Sequence, residues 1–401
     1  MKNILIQFAL ILNTILVGSP AYAQDTTYAR QVIKKLTSPE LLGRGYVNDG
    51  VNKAAAYLSN EMKQIGVLKF GKSYTQVYHF SVNTFPGKMS VVLDGRELIA
   101  GKHYLIYPSA TTKKTGYQLF KTDSVTYHSN DGRREVPVIV KLKKKLTYTV
   151  ATDTSANTVI ELLKDSFPNE LKNVDVMFEN KFIPNFKCQN LCGYIKGKQQ
   201  PDSFIVFTAH YDHLGAMGKQ AYFPGANDNA SGIVAMLEAA AVLATAENSQ
   251  KVIFVAFGGE EQQLWGSRAC AELAVREGWT AKLMFNLDMV GFAGDPSKTR
   301  IILEYDQGNA NPNNDAAARA FAQRIAQIAV EYTDLNIEHT DIWNSDYMPF
   351  EAAGVPCVGF YDEGADGPFY HRSTDTVEHI SMKQLLAVTR ALAASVYLLN
   401  R

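Results

Sequence analysis

Five short segments in the second half of the chain carry side chains of the kind that bind divalent ions. They are FTAHYDHLG (207–215), GANDNASG (225–232), GGEEQQLWGS (258–267), NLDMVG (286–291) and FYHRSTDT (369–376). Together they supply His210, Asp228, the adjacent pair Glu260 and Glu261, Asp288 and His371. Imidazole nitrogen combined with carboxylate oxygen suits zinc and its first-row neighbours. The set is large enough to hold two ions and leave one carboxylate free as a base, which is the equipment of a metal-dependent hydrolase.

The elements that must position these groups can be read from periodicity. Short apolar runs at Phe204–Thr208, Val252–Phe257, Leu283–Asn286 and Val355–Phe360 alternate with apolar helical stretches at about 229–246, 263–277, 314–332 and 381–399. That alternation predicts an α/β fold with a mixed, largely parallel central sheet covered by helices on both faces. Ligands of such sheets bind outside the carboxyl ends of the strands. His210 follows FIVFTA, Glu260 and Glu261 follow VIFVAFGG, and Asp288 follows MFNL, so all four fall at that edge.

Each ligand taken alone has an ordinary structural explanation. His210 could be a hydrogen-bonded core residue, Asp228 an N-cap, Glu260 and Glu261 a solvated turn, and Asp288 a cap. All of those explanations would have to hold together, and they leave unexplained why two adjacent carboxylates end a buried apolar strand. Like charges there repel and lose their hydration unless cations neutralise them. Two divalent ions are balanced by Asp228, Glu261, Asp288 and one hydroxide, with His210 and His371 neutral and Glu260 left uncounted. Two zinc ions per chain are therefore expected, with cobalt or manganese as substitutes.

The rest of the 401-residue chain bounds this reading. Forty basic residues balance forty acidic ones, which gives no electrostatic case for nucleic acid or an anionic membrane surface. Residues 1–23 read as a secretory signal: a charged start, an apolar run from Ile4 to about Val17, and Ala21-Tyr22-Ala23 before the cleavage point. The run is shorter than the ~20 apolar residues of a membrane span, so an exported protein, periplasmic or secreted, without a stable anchor after cleavage is expected. Residues 24–80 read as the N-terminal helical part of the catalytic unit, with one stripe at Tyr28, Val32, Ile33 and Leu36 and another from Ala54 to Ile65 that Gly66 stops. Residues 81–185 read as a β-rich accessory insertion with a helix near Val159–Leu163. This stretch has no concentration of ligand-type residues, His103 and His128 being isolated, and its expected role is that of a lobe shading the active site. Residues 186–401 read as the catalytic zinc domain. Four cysteines are too few for a disulfide scaffold. Cys188 and Cys192 are expected on one face of a strand about 13 Å apart, too far to pair with each other, as buried free thiols or else with a bridge to Cys270 or Cys357.

The motifs HYDHLG, GANDNASG, GGEEQQLWGS, NLDMVG, SDYMPFEAAGVP and YH with DT shortly after occur in an order and spacing that resembles the two-zinc exopeptidases of metallopeptidase clan MH, the secreted aminopeptidases above all. The similarity covers most of residues 186–400, and LLGRGY (41–46) also fits. The resemblance implies that Asp228 bridges both ions, that His210 and Asp288 complete one site, and that Glu261 and His371 complete the other. It further implies that Glu260 is the general base, moving a proton from a zinc-bridging water to the leaving amine, in an enzyme that removes N-terminal residues from peptides or small aminoacyl substrates. On this reading Asp212 orients the imidazole of His210, His213 is structural, and Tyr370 donates to the oxyanion in preference to Tyr347. Tyr347 itself departs from the family pattern, which often has His there. The insertion is too divergent for any substrate-binding residue to be carried over. Two other classes stay open: a zinc-dependent glutaminyl cyclase on a related fold, and a non-catalytic binding protein, which predicts lost ligands where none of the six positions is lost.

Overall fold

Apolar runs rich in aromatic and β-branched side chains, bounded by Gly, Pro and charged residues, form the centre of the molecule. The computed structural model describes residues 26–129, 138–198, 203–246, 251–292, 294, 299–308, 315–362 and 367–399, so the signal segment expected over residues 1–23 lies outside the described residues. Among the described residues the larger sheet has nine strands: β1 Leu68–Lys69, β2 Thr75–Thr84, β3 Lys181–Ile195, β4 Phe204–His210, β5 Val252–Phe257, β6 Ala281–Leu287, β7 Arg300–Glu304, β8 Asn336–Thr340 and β9 Cys357–Tyr361. Their spatial order is β1-β3-β5-β4-β6-β9-β7-β8, with β2 also paired to β3. The central strands β5, β4, β6 and β9 run parallel. β3 joins antiparallel to β5, and β7 antiparallel to β9. This is the mixed, largely parallel sheet expected from the sequence.

Alternate side chains of the central strands face opposite helix layers, as the two-residue period of a strand requires. Ile205, Phe207, Phe254, Leu283 and Phe285 pack on one side with residues of α1 (Thr26–Leu36), α2 (Gly50–Ile65), α3 (Gly232–Thr245), α5 (Asp315–Tyr332) and α7 (Met382–Leu398). Val206, Ile253, Val255 and Met284 pack on the other against Cys270 and Ala274 of α4 (Trp265–Arg276) and Phe350 of α6 (Met348–Ala352). Phe207 stacks on both Phe254 and Phe285, with ring centroids 5.6 and 4.7 Å apart. α3 is buried on every side from Gly232 to Ala241, which its uniformly apolar sequence permits. The order and approximate limits of the four long helices agree with the sequence expectation. Strands β7 and β8 were not expected from it.

The second sheet is built from the intervening residues. Among the described residues it has eight strands, in the spatial order Arg96–Glu97, Ser90–Leu93, Asn173–Phe178, Lys113–Lys121, Thr126–Ser129, Val138–Lys143, Thr158–Leu163 and Tyr104–Ile106. The helix expected near Val159–Leu163 is instead a strand. Thr158, Ile160 and Leu162 are buried and the residues between them half-exposed, a period of two that propensity for three apolar neighbours had hidden. The sheet has its own apolar cluster, including Val91, Tyr104, Val140 and Ile160, which also takes in Leu214, Met217 and Phe223 from the segment that follows β4. The two sheets thus share a wall beside the strand ends.

The cysteine expectation is corrected in one respect. Cys188 and Cys192 both lie on β3, but Cys188 packs in the cluster on one side of the sheet and Cys192 against the cluster on the other. Leu191 and Cys188, an odd step apart, fall in the same cluster, so the strand does not keep a strict alternation here. All four cysteines are free thiols.

Candidate metal centre

The carboxyl ends of β4, β5 and β6 meet at one place, and there the structure gathers all six ligand-type residues. His210 is the last residue of β4, Asp288 directly follows β6, and Glu260 and Glu261 follow β5. Asp228 lies in the turn Ala226–Ser231 before α3 and caps nothing, because the N-cap of that helix is Ser231. His371 arrives from the loop after β9. The five segments therefore converge, as their strand-end placement predicted.

Asp228 sits between two donor sets. Its Oδ1 lies 3.5 Å from His210 Nε2, which is also 3.2 Å from Asp288 Oδ1. Its Oδ2 lies 3.2 Å from His371 Nε2, which is 3.2 Å from Glu261 Oε2. His213 approaches the second set as well, with Nδ1 2.8 Å from Glu261 Oε1 and 3.8 Å from Asp228 Oδ2. The groups His210–Asp228–Asp288 and His213–Asp228–Glu261 each bring their donor atoms within 4.8 Å of one another. Asp228 Oδ2 is buried with no hydrogen-bond partner. Such packing of carboxylates is stable only with cationic compensation, and the donor chemistry of nitrogen and oxygen fits a transition-series dication.

Neighbouring bonds decide which imidazole faces the second set freely. His371 Nδ1 is fixed by the carbonyl of Tyr148, 3.0 Å away, so Nε2 is the nitrogen turned to the carboxylates. His213 instead uses Nδ1 on the outer oxygen of Glu261, and it packs against Gly225, where a Cβ would lie 2.4 Å from the imidazole and where φ is +63°. Only glycine serves at that position.

Asp212 ties the strand ends together. It lies 3.8 Å from His210 Nδ1, accepts a hydrogen bond from Tyr46 Oη at 2.6 Å, and accepts from the backbone N–H groups of Glu260 and Glu261 at 3.2 and 3.3 Å. Burial raises its pKa to about 6, with His210 and Tyr46 opposing. Arg44, fully buried, donates to the carbonyls of Tyr211, Leu36, Pro224, Gly225 and Asp228 at 2.6–3.1 Å, and so fixes both ligand loops from behind. Asp375 does the same from the other side by accepting from the N–H of Asp228 at 3.0 Å. Sequence reasoning noted LLGRGY only as a fitting motif; Arg44 and Tyr46 are what it contributes.

The two adjacent glutamates differ electrostatically. Burial drives Glu260 well above the ordinary carboxylate range, Asp288 and Glu261 add to the effect, and His210 only partly offsets it. Burial acts on Glu261 in the same sense but is outweighed by His371 and His213, which hold it well below that range. Glu260 has no hydrogen-bond or ion-pair partner for its carboxyl among the described residues, and it lines a cavity of about 290 Å³ together with Asp288, Glu304, Trp343 and Tyr370. Separated pKa values in neighbouring carboxylates mark a division of roles. Tyr370 and Tyr347 are separated too. Tyr347 Oη already donates to Glu304 Oε2 at 2.9 Å and accepts from the N–H of Trp343 at 2.9 Å. Tyr370 lines the cavity, its ring stacked on that of His371 at 3.8 Å.

An α/β sheet with shared carboxylate and imidazole donor sets at its strand ends defines a metal-binding hydrolase of the metallopeptidase type. The family model for peptidase family M28 matches residues 190–396, and the chain belongs to that family. Aminopeptidase YwaD of Bacillus subtilis (strain 168) is 33% identical over 223 residues, covering 54% of this chain and 46% of the relative. The chain thus spans about half the length of the curated relatives it matches. In fold it is similar to the aminopeptidase from Aneurinibacillus sp. strain AM-1, with a TM-score of 0.65 at 19% identity over 93% of each chain. It is likewise similar to BSAP, a zinc aminopeptidase from Bacillus subtilis, with a TM-score of 0.64 at 21% identity over 94% of this chain and 95% of that one.

Proposed function

We propose that this protein is a two-zinc aminopeptidase that hydrolyses the N-terminal residue from peptides or small aminoacyl substrates. The observation that carries the reading is the Asp228 carboxylate, shared between two donor sets 3.2–3.5 Å away, beside a half-buried Glu260 on the same cavity that pairs with none of them. His210, Asp228 and Asp288 would hold one ion, and Asp228, Glu261 and His371 the other. Zinc held there supplies Lewis acidity, polarising a carbonyl and lowering the pKa of water toward neutrality.

The remaining steps belong to the chain. Glu260, with its raised pKa, accepts the proton of the attacking water and passes it to the leaving amine. Tyr370 donates to the oxygen that becomes negative, the hydroxyl of Tyr347 being occupied. The main-chain carbonyl of Asp212, 3.3 Å from Nδ1, keeps the imidazole of His210 turned toward its ligand position, its carboxylate adding a charge 3.8 Å away, and the Tyr148 carbonyl does the same for His371. The carboxylate-rich rim receives the free α-ammonium of the substrate, which an internal peptide bond lacks. This favours an exopeptidase.

Release of the amino-terminal residue from aminoacyl nitroanilides, with two zinc ions per chain at full activity, tests the reading. Cyclisation of an N-terminal glutaminyl peptide without release of an amino acid would overturn it in favour of a glutaminyl cyclase. Export is supported by the sequence of residues 1–23; mass measurement of the mature protein should place its start at Gln24. No helix among the described residues is long and apolar enough to cross a membrane.

A further inference from the structure

Glu304 ends β7, which the metal centre does not use, yet its side chain lines the same cavity. In the sheet it stands opposite Gly359, which in turn stands opposite Asn286, two residues before Asp288. Two strand spacings, about 10 Å, separate its backbone from the strand that carries Asp288, and the two carboxylates are near enough to interact electrostatically. The carboxyl of Glu304 thus lines the cavity into which the metal ligands also face.

This position is built rather than incidental. Glu304 is only 5% exposed. Its Oε2 accepts from Tyr347 Oη at 2.9 Å, while Oε1 has no partner among the described residues. Gly359 makes room for the pair: a Cβ there would stand 2.9 Å from Tyr347 Cε1 and 3.0 Å from Glu304 Oε2. Tyr347 is itself held by the N–H of Trp343, and the indole of Trp343, 80% exposed, stands at the same cavity. Burial raises the pKa of Glu304 to about 8, and only the bond from Tyr347 opposes it. A carboxyl so placed lacks a counter-ion.

We propose that Glu304 forms the floor of the subsite that receives the side chain of the substrate's N-terminal residue, and that it selects lysine or arginine there. An ammonium or guanidinium group bonds to the open Oε1, and the aliphatic stem lies along Trp343, whose ring also attracts the cation. An apolar side chain of equal length would cover the carboxyl and leave it unpaired, which is the stronger source of discrimination. This rests on the aminopeptidase reading above and names its substrate class.

The test compares kcat/KM for lysyl, arginyl, leucyl and methionyl 4-nitroanilides on the zinc-loaded wild type, Glu304→Gln and Tyr347→Phe. The wild type should prefer the lysyl and arginyl substrates at least tenfold. Glu304→Gln keeps an acceptor for Tyr347 and the side-chain volume, and should lower the lysyl-to-leucyl ratio by roughly ten- to a hundredfold. Tyr347→Phe frees the carboxyl without removing it, and should lower that ratio by less. A wild type that cleaves the leucyl substrate as well as the lysyl one overturns this proposal and leaves the aminopeptidase reading standing. So does a ratio unchanged in Glu304→Gln. Failure to release an amino acid from any of the four, with two zinc ions bound, overturns both.

Discussion

Where β4, β5 and β6 end, six ionisable side chains line one cavity, His210 and Asp228 buried and the other four half-buried. The second sheet, beside them, packs Val91, Tyr104, Val140 and Ile160 at 0% exposure or close to it and buries no charged residue between positions 85 and 180 among those described. One region concentrates desolvated charge, and the other is an ordinary apolar core. Beyond the wall they share at Leu214, Met217 and Phe223, Tyr148 reaches a metal ligand itself: it stacks its ring on Phe223 at 4.5 Å, and its backbone exchanges hydrogen bonds with His371 in both directions at 3.0 Å. The chemistry is therefore carried by one region while part of its alignment is supplied by the other. A shading lobe, which is all the sequence suggested for residues 81–185, would have no such bond.

The comparison breaks first at Asp228 and Glu260. Asp228→Ala should lose both bound metal and activity, because both donor sets share this carboxylate. Glu260→Ala should keep the metal and lose roughly 10²–10⁴-fold in kcat, the contribution of a general base. Metal analysis beside kinetics checks both; loss of both ions in Glu260→Ala would erase the distinction between base and ligand. Tyr370→Phe comes next, with an expected loss of about 10²–10³-fold in kcat. Tyr347→Phe, whose hydroxyl is already engaged by Glu304 and the N–H of Trp343, should cost no more than about tenfold on a leucyl substrate, the worth of one hydrogen bond. Equal losses in the two variants would mean that the tyrosines had been assigned wrongly. Asp212→Asn should weaken metal binding by about 10–100-fold, measured by chelator competition.

How much of this was legible beforehand follows from the kind of signal each residue gives. His210, Glu260, Glu261 and Asp288 were readable because their residue types are rare at the ends of apolar strands, and position alone brought them to one edge; Asp228 and His371, in loops off the strand ends, were read from the charge balance and the ordered motifs. The division between Glu260 and Glu261 required the order of the motifs, and the opposed pKa directions agree with it. Arg44 was not readable as a clamp, since its five partners are backbone carbonyls and carbonyls carry no sequence signature. Glu304 was missed with its strand; the run of Ile301, Ile302 and Leu303 before it was the available sign. The misread helix at 159–163 shows the limit of short apolar runs, in which Val159, Ile160 and Leu163 fit a helical face as well as a strand. Tyr148 lies 223 residues from His371 and acts through its backbone, so no local pattern could have named it.

The smallest expected effect is the most informative about the two regions. Tyr148→Ala removes the stack on Phe223 but leaves the backbone bond to His371 chemically intact, so any loss at the metal centre must come from freedom gained by that backbone. The loss of the ring contact should cost about 0.5–1.5 kcal/mol beyond the buried area, and zinc affinity should fall severalfold, well short of the effect of Asp212→Asn. Val140→Ala provides the comparison, since Val140 is fully buried in the second sheet's core and its removal should destabilise the protein by about 1–3 kcal/mol. Thermal unfolding of the two metal-free variants should therefore show a loss in both, the larger in Tyr148→Ala, while chelator competition should show weakened zinc binding in Tyr148→Ala alone. Equal zinc affinities in the two variants would mean that the second sheet supports the centre only by being folded, and that the hydrogen bonds between Tyr148 and His371 follow the position of the histidine rather than set it.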